Sequence, residues 1–168
     1  LNAGADVRAR SYYGVTSLMV ASANGNAEVA ELLLDAGADV SARNQDTWTP
    51  LMAAARYNQN PEVTRLFLDT GADVNARSDN GRTPLMAASE NKNAEVAERL
   101  LDADADVSDR FYDGRTPLMF SAKNNDNPQV TELLLDAGAD VNARDEDGLT
   151  PLMFAALENK NPEVHQLL

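Results

Sequence analysis

Apolar and polar positions along this chain follow a pattern that repeats every 33 or 34 residues. Each period holds two apolar segments at helical spacing, the second of them rich in leucine. The threonine that precedes the first segment stands at positions 16, 49, 83, 116 and 150. A fixed period of this length is typical of a solenoid, in which each unit buries its apolar face only against its neighbours. The pattern therefore predicts an elongated stack of helical hairpins.

Residues 44–77 illustrate how one period is expected to fold. Thr49 is a predicted N-cap, and Pro50 follows it at the first helical position, where a missing N–H costs nothing. The Asn58-Gln59-Asn60 segment ends this first helix, because asparagine favours turns and caps over helix interiors. Asn60 caps a second helix that starts at Pro61. Gly71 ends it, since glycine readily takes the left-handed conformation found after helices.

These residues resemble the ankyrin repeat family. Thr-Pro-Leu, the alanine pairs, Glu-Val, Leu-Leu-Leu and Gly-Ala-Asp-Val-Asn-Ala match its consensus along essentially the whole chain. The resemblance implies an all-α fold, an α-solenoid of stacked helix-turn-helix repeats with projecting β-turn or hairpin fingers. We expect one ankyrin-repeat domain over residues 1–168, with the end of a preceding repeat in 1–10, repeats at 11–43, 44–77, 78–110 and 111–144, and an incomplete last repeat at 145–168.

Both ends of the chain fall at positions that are helical in the repeat. Leu1 corresponds to the last leucine before the Gly-Ala-Asp-Val turn, and Leu168 stands just before the next such leucine. Terminal repeats normally carry a polar outer face, which neither end shows. We therefore expect the chain to be part of a longer array.

Several positions depart from the family pattern. Methionine replaces the usual histidine after Thr-Pro-Leu in every copy, at positions 19, 52, 86, 119 and 153. Pliable apolar packing explains this row better than a soft-metal or cofactor site. Asp104 replaces the glycine that ends the second helix, and Thr47 replaces a turn glycine. Each substitution is expected to cost up to about 1 kcal/mol at a left-handed position.

Composition restricts the class of partner. The 168 residues carry a net charge of −13, which disfavours nucleic acid and anionic membrane surfaces. No apolar run approaches the length needed to cross a bilayer, and cysteine is absent, which excludes disulfides. We expect a soluble protein. Its compartment is left open, with the cytoplasm preferred.

The sequence offers no catalytic constellation. His165 is the sole histidine, and a general base needs a partner that fixes it. One histidine without cysteine cannot assemble a zinc site, and Asp145-Glu146-Asp147-Gly148 lacks the alternating ligands of a calcium loop. We therefore predict no enzyme activity, no cofactor and no metal.

Two charged rows recur at the base of the fingers. Arginine stands at positions 10, 43, 77, 110 and 144, and aspartate at positions 6, 39, 73, 106 and 140. We interpret them as paired charges along the fingers, each pair contributing little. An anion-binding strip is the alternative.

Positions that differ between copies are the candidates for recognition. In the ankyrin family, partners usually lie in the concave groove formed by finger tips and first helices. Tyrosine, tryptophan and arginine are enriched at binding hot spots, and three of the four tyrosines and the tryptophan map to the tips. The predicted partner-binding residues are Tyr12, Tyr13, Trp48, Arg56, Tyr57, Arg82, Tyr112, Arg115, Lys123 and Leu149. Alternatively, the tip aromatics pack on neighbouring fingers; Phe120 and Phe154 fit the groove and the core equally well.

These features favour a protein-protein interaction scaffold without catalysis. Its partner would be a protein or peptide with a basic rim and an apolar centre. Two alternatives remain: the targeting arm of an enzyme or toxin whose catalytic domain lies outside this chain, and a structural array that stacks end to end. We expect a monomer or weak end-to-end self-association.

Overall fold

The computed structural model describes residues 4–168, so the prediction about Leu1 lies outside the described residues. Ten helices occupy this part of the chain, two in each of the five predicted units. They are α1 (Ser17–Ala23), α2 (Ala27–Asp35), α3 (Pro50–Tyr57), α4 (Pro61–Asp69), α5 (Pro84–Ala88), α6 (Ala94–Asp102), α7 (Pro117–Asn124), α8 (Pro128–Asp136), α9 (Pro151–Glu158) and α10 (Pro162–Leu167). The predicted all-α solenoid is confirmed.

The helix starts of the second repeat follow the predicted capping chemistry. The Thr49 hydroxyl accepts a hydrogen bond from the Met52 amide at 3.2 Å, and Pro50 is the first residue of α3. The side chain of Asn60 caps α4 by accepting from the Glu62 amide at 3.1 Å. Each cap provides a partner for an amide that has none within its helix.

The fingers comprise residues 11–15, 44–48, 78–82, 111–115 and 145–149. Each is a turn closed by a backbone hydrogen bond, such as that from the Asn44 amide to the Trp48 carbonyl at 3.1 Å. Adjacent tips are also joined, because the Gln45 amide donates to the Tyr13 carbonyl at 3.0 Å. Residues 4–168 contain no extended strand, and a single antiparallel bridge links Arg10 to Thr16. The predicted fingers are therefore turns rather than full hairpins.

An apolar core runs between the two layers of helices through the first four repeats, and a second cluster around Phe154 lies in the last two. The first helices of adjacent repeats pack side by side, and Phe67, Leu85 and Leu100 are at most 1% exposed. The methionines of the first four copies are buried, as predicted. The same prediction is wrong for Met153, which is 46% exposed because no later helix in the described range covers this face of α9. Phe120 and Phe154 are both buried.

A ladder of buried asparagines joins successive repeats. Its members are the asparagines two residues before the cap of each second helix, beginning with the second repeat: Asn58, Asn91, Asn125 and Asn159. The Asn91 amide nitrogen donates to the carbonyls of Ala55 and Asn58 in the previous repeat, at 2.9 and 2.8 Å. Its oxygen accepts from the backbone amide of Asn93 at 3.0 Å. The ladder thus satisfies carbonyls left over at the end of each first helix.

The two charged rows bond mainly to the backbone, and the arginines act on the aspartates of the next repeat only through longer-range attraction, as Arg10 does on Asp39 and Arg77 on Asp106. The expected charge pairs are therefore weak. The Arg43 guanidinium donates to the Arg77 carbonyl at 2.8 Å, and Arg110 bonds in the same way to Arg144. Each aspartate accepts instead from the amide two residues later. For Asp106, a second bond from the Ser108 hydroxyl at 2.6 Å lowers the pKa of the carboxyl. Among the described residues, no ion pair within 4 Å joins the two rows.

Asp104 and Thr47 both adopt the strained backbone predicted for them, with φ angles of 62° and 57°. Glycine takes the Asp104 position in other repeats, as at Gly71. We therefore expect Asp104→Gly to raise the free energy of unfolding by up to about 1 kcal/mol. Chemical denaturation will measure this. Asp102→Gly, at the end of α6, is the control and will destabilise the protein because it weakens a helix.

Candidate binding groove

The finger tips and the first helices form the concave face. At one position of the first helix, the side chain that faces the fingers is small in the first three repeats and large in the last two. It is Val20, Ala53 and Ala87 in the first three repeats, then Phe120 and Phe154. Small side chains leave space under the first fingers, whereas phenylalanine fills it further along. The concave face therefore has an open half and a filled half.

The open half contains a cavity of about 590 Å³, here named the open groove. Its apolar walls are Val15, Met19, Val20, Ala23, Trp48 and Tyr57. Its polar rim consists of Asn24, Asn44, Asp46 and Asn80. Val20 and Tyr57 remain 51% and 60% exposed, so a large apolar surface faces solvent here.

Two stacked aromatic rings form one wall of the open groove. The rings of Trp48 and Tyr57 lie 6.3 Å apart between centroids, with 25° between their planes. The Arg56 guanidinium lies 5.8 Å from the centre of the Tyr57 ring, and that of Arg82 lies 5.9 Å from the Trp48 ring. Both contacts fall within the range of cation–π attraction. The wall is thus a pair of rings held by a pair of cations.

Glu90 holds both of those cations. Its carboxylate lies 2.5 Å from the Arg82 guanidinium and 3.3 Å from that of Arg56, and its second oxygen accepts from Asn124 at 2.9 Å. The side chain of Glu90 is only 7% exposed. A covered carboxylate needs partners that replace water, and here two guanidiniums and one side-chain amide do so.

In the filled half, aromatic rings and guanidiniums pack together beneath the fingers. Phe111 and Phe120 meet edge to face with centroids 5.5 Å apart. The guanidiniums of Arg82 and Arg115 lie 4.8 and 4.7 Å from the Phe120 ring centre. Asp113 pairs with Arg115 at 2.8 Å. The guanidiniums and aromatic rings of this half therefore pair with one another within the protein.

The predicted partner-binding residues fall into two groups. Tyr12, Tyr13, Tyr57 and Tyr112 are at least 60% exposed, and Trp48 is half-buried on the open groove. The ring centroids of Tyr12 and Tyr13 lie 5.2 Å apart, and those of Tyr112 and Phe111 lie 4.5 Å apart. The second group is more covered: Arg56, Arg82 and Arg115 pair as described, Lys123 pairs with Glu158 at 3.1 Å, and Leu149 packs against the core.

Sequence reasoning did not predict the roles of Glu90, Phe111 or the asparagine ladder. Phe111 stands where the other fingers have serine, asparagine or aspartate, so one apolar residue at a polar position was the available signal. For the ladder, the signal was Asn-x-Asn in every copy. Nothing in the sequence alone indicates that Glu90 meets arginines from α3 and the third finger.

The described residues show no second kind of site. The His165 ring nitrogen Nδ1 lies 2.9 Å from the carbonyl oxygen of Asn161, one turn earlier at the start of α10. Between residues 4 and 168, no three histidine, cysteine or acidic side chains converge as metal ligands. Burial raises the pKa of Asp109, whose carboxylate pairs with Arg77 at the base of a finger rather than in a pocket. No helix in this range is long and apolar enough to span a membrane.

Comparison with known proteins agrees with the repeat architecture. Protein phosphatase 1 regulatory subunit 12A from Mus musculus and from Rattus norvegicus are each 48% identical to this chain over 61 residues. That match covers 35% of this chain and 6% of each relative. The family description "Ankyrin repeats (3 copies)" matches residues 18–111 and 102–168. With these matches and five stacked helical hairpins, the chain belongs to the ankyrin repeat family.

Proposed function

We propose that this domain is a non-catalytic scaffold that recognises a partner protein through the open groove and the adjacent finger tips. The observation that carries the proposal is the uncovered apolar wall of Trp48, Tyr57 and Val20. Exposed apolar surfaces of this kind, rimmed by polar groups, mark interaction sites. The matched relatives are named regulatory subunits, a role exercised through another protein, which supports the same mode of action.

The predicted partner-binding residues would have unequal roles. Tyr57, Trp48, Tyr12, Tyr13 and Tyr112 offer large, accessible rings and would contact the partner directly. The three arginines at 56, 82 and 115, with Lys123 and Leu149, are already engaged within the protein and would chiefly shape the surface. With a net charge of −13, the preferred partner is a protein or peptide with a basic rim.

Truncating the aromatic wall is the direct test. We expect the double variant Trp48→Ala/Tyr57→Ala to weaken the affinity for a partner protein about 30-fold or more, since hot-spot residues contribute about 2 kcal/mol or more. A pull-down will identify the partner, and calorimetry with the purified pair will give the affinity. Leu32→Ala is the matched control, because Leu32 is 64% exposed on α2 and does not line the groove.

Circular dichroism spectra must match between the variants, so that loss of binding is not loss of fold. An affinity unchanged by the double variant, with a partner that binds the wild-type domain, would reject the concave surface. Equal losses in Leu32→Ala and the double variant would likewise place recognition elsewhere.

A further inference from the structure

We infer that the open groove binds an extended peptide segment in which an apolar side chain adjoins a lysine or arginine. The inference rests on the proposed function and specifies the chemistry of its partner. The apolar side chain would lie against Val20 and the Trp48–Tyr57 wall. The cation would pair with Asp46 on the rim.

The composition of the groove walls indicates that the bound peptide carries an apolar side chain. Val15, Val20 and Ala23 line the cavity together with Trp48 and Tyr57, so most of its lining is apolar. A volume of about 590 Å³ lies within the range of small-molecule and side-chain pockets. Burying an aliphatic or aromatic side chain there removes apolar surface from water on both partners, which is the main favourable term in association.

The charge on the rim of the groove indicates which residue should adjoin the apolar one in the peptide. Asp46 is the sole charged residue that lines the cavity, and it is exposed. A second carboxylate stands on the next finger, where Asp79 accepts from the Thr47 hydroxyl at 3.0 Å. The nearby cations offset these charges only in part, because Arg56 and Arg82 share the single carboxylate of Glu90 and leave one net positive charge beside the two aspartates. An acidic peptide would therefore have to compete with the covered Glu90 carboxylate for the two arginines, whereas a basic peptide can pair with Asp46 directly.

The shape of the surface favours an extended chain. The groove crosses the first three repeats and has an asparagine on its rim from each of them: Asn24, Asn44 and Asn80. The side-chain oxygens of Asn44 and Asn80 accept bonds within their own fingers, but their NH2 groups can donate to the carbonyls of an extended backbone, and Asn24 carries both a donor and an acceptor. The filled half, where guanidiniums cover Phe120, closes the groove at its far end.

Selection from a phage-displayed library of random dodecapeptides tests the inference. We expect enrichment of peptides with an apolar residue next to lysine or arginine. Synthetic copies of the selected peptides will then be titrated against the domain. Trp48 is the only tryptophan, so its fluorescence reports directly on occupation of the groove.

Two pairs of matched variants separate the apolar and the ionic contributions. Val20→Gln should weaken the selected peptide about tenfold, while Leu32→Gln, at another exposed apolar position, should not. Asp46→Asn should weaken it about threefold to tenfold and reduce the salt dependence of binding. Asp136→Asn, an exposed aspartate on α8, should leave both unchanged.

The outcomes distinguish the inference from the function on which it rests. Enrichment of acidic peptides, or basic peptides insensitive to Asp46→Asn, would overturn the inference but not groove binding if Val20→Gln still weakens them. Absence of any enriched peptide would also overturn it. If a partner protein then fails to bind Trp48→Ala/Tyr57→Ala, the proposed function still holds. If binding is unchanged in both Trp48→Ala/Tyr57→Ala and Val20→Gln, the inference and the proposed function are both rejected.

Discussion

Replacing Asn91 with alanine will lower the free energy of unfolding by about 3 kcal/mol, since each buried polar group left without a partner costs about 1–3 kcal/mol. Within residues 4–168, the Asn91 side chain is the sole side-chain donor to the carbonyls of Ala55 and Asn58, and it also accepts from the amide of Asn93 and from Gln59. Asn91 is 1% exposed, so water cannot replace these bonds without opening the interface between repeats.

The ladder provides its own graded controls. Asn24 occupies the same register in the first repeat but is exposed, and Asn24→Ala should change stability by less than about 0.5 kcal/mol. Asn58 makes one bond to the preceding repeat, to Ser22 at 2.9 Å, so its replacement should have an intermediate effect. Urea denaturation followed by circular dichroism will rank the three variants. Equal losses at positions 24 and 91 would contradict a role for the buried hydrogen bonds.

Phe67→Ala will destabilise the protein by about 3–5 kcal/mol, the range observed when a buried phenylalanine is truncated. Phe67 lies in α4, is fully buried, and packs within the core shared by neighbouring repeats. Because a repeat array is stabilised largely by contacts between neighbours, a cavity here weakens the repeat and its interfaces together.

Phe67→Leu is the matched variant, because it keeps most of the buried volume, and should cost about 1.5 kcal/mol or less. Unfolding should be followed by circular dichroism and by Trp48 fluorescence in parallel. Since Trp48 and Phe67 belong to the same repeat, a transition seen earlier by fluorescence would indicate that this repeat opens first. A loss below 1 kcal/mol in Phe67→Ala would show that the core around α4 rearranges to fill the space.

The helical framework was predictable because its signals are local. The Thr49-Pro50 start, the asparagine caps and the left-handed Asp104 each depend on a few adjacent residues, and all appear as expected. The burial of the methionine row also followed from its register, except at Met153. There the prediction failed because burial depends on a neighbour rather than on the residue.

The candidate site was less predictable because it depends on distances across repeats. Arg82 and Arg115 were expected as accessible contacts at the tips, but phenylalanine at position 120 draws both guanidiniums inward. Asn58 was correctly placed at the turn that ends α3. Its second role, in the ladder, needs the geometry of two stacked units, which no single period contains.

The direction of the asparagine ladder bears on how such a chain can change length during evolution. In every rung the donor belongs to the later repeat and the acceptor is a main-chain carbonyl of the earlier one. Main-chain acceptors do not depend on which side chains surround them. A tandem duplication of one full period would therefore insert a unit that already carries its own connection, with no compensating mutation needed on either side.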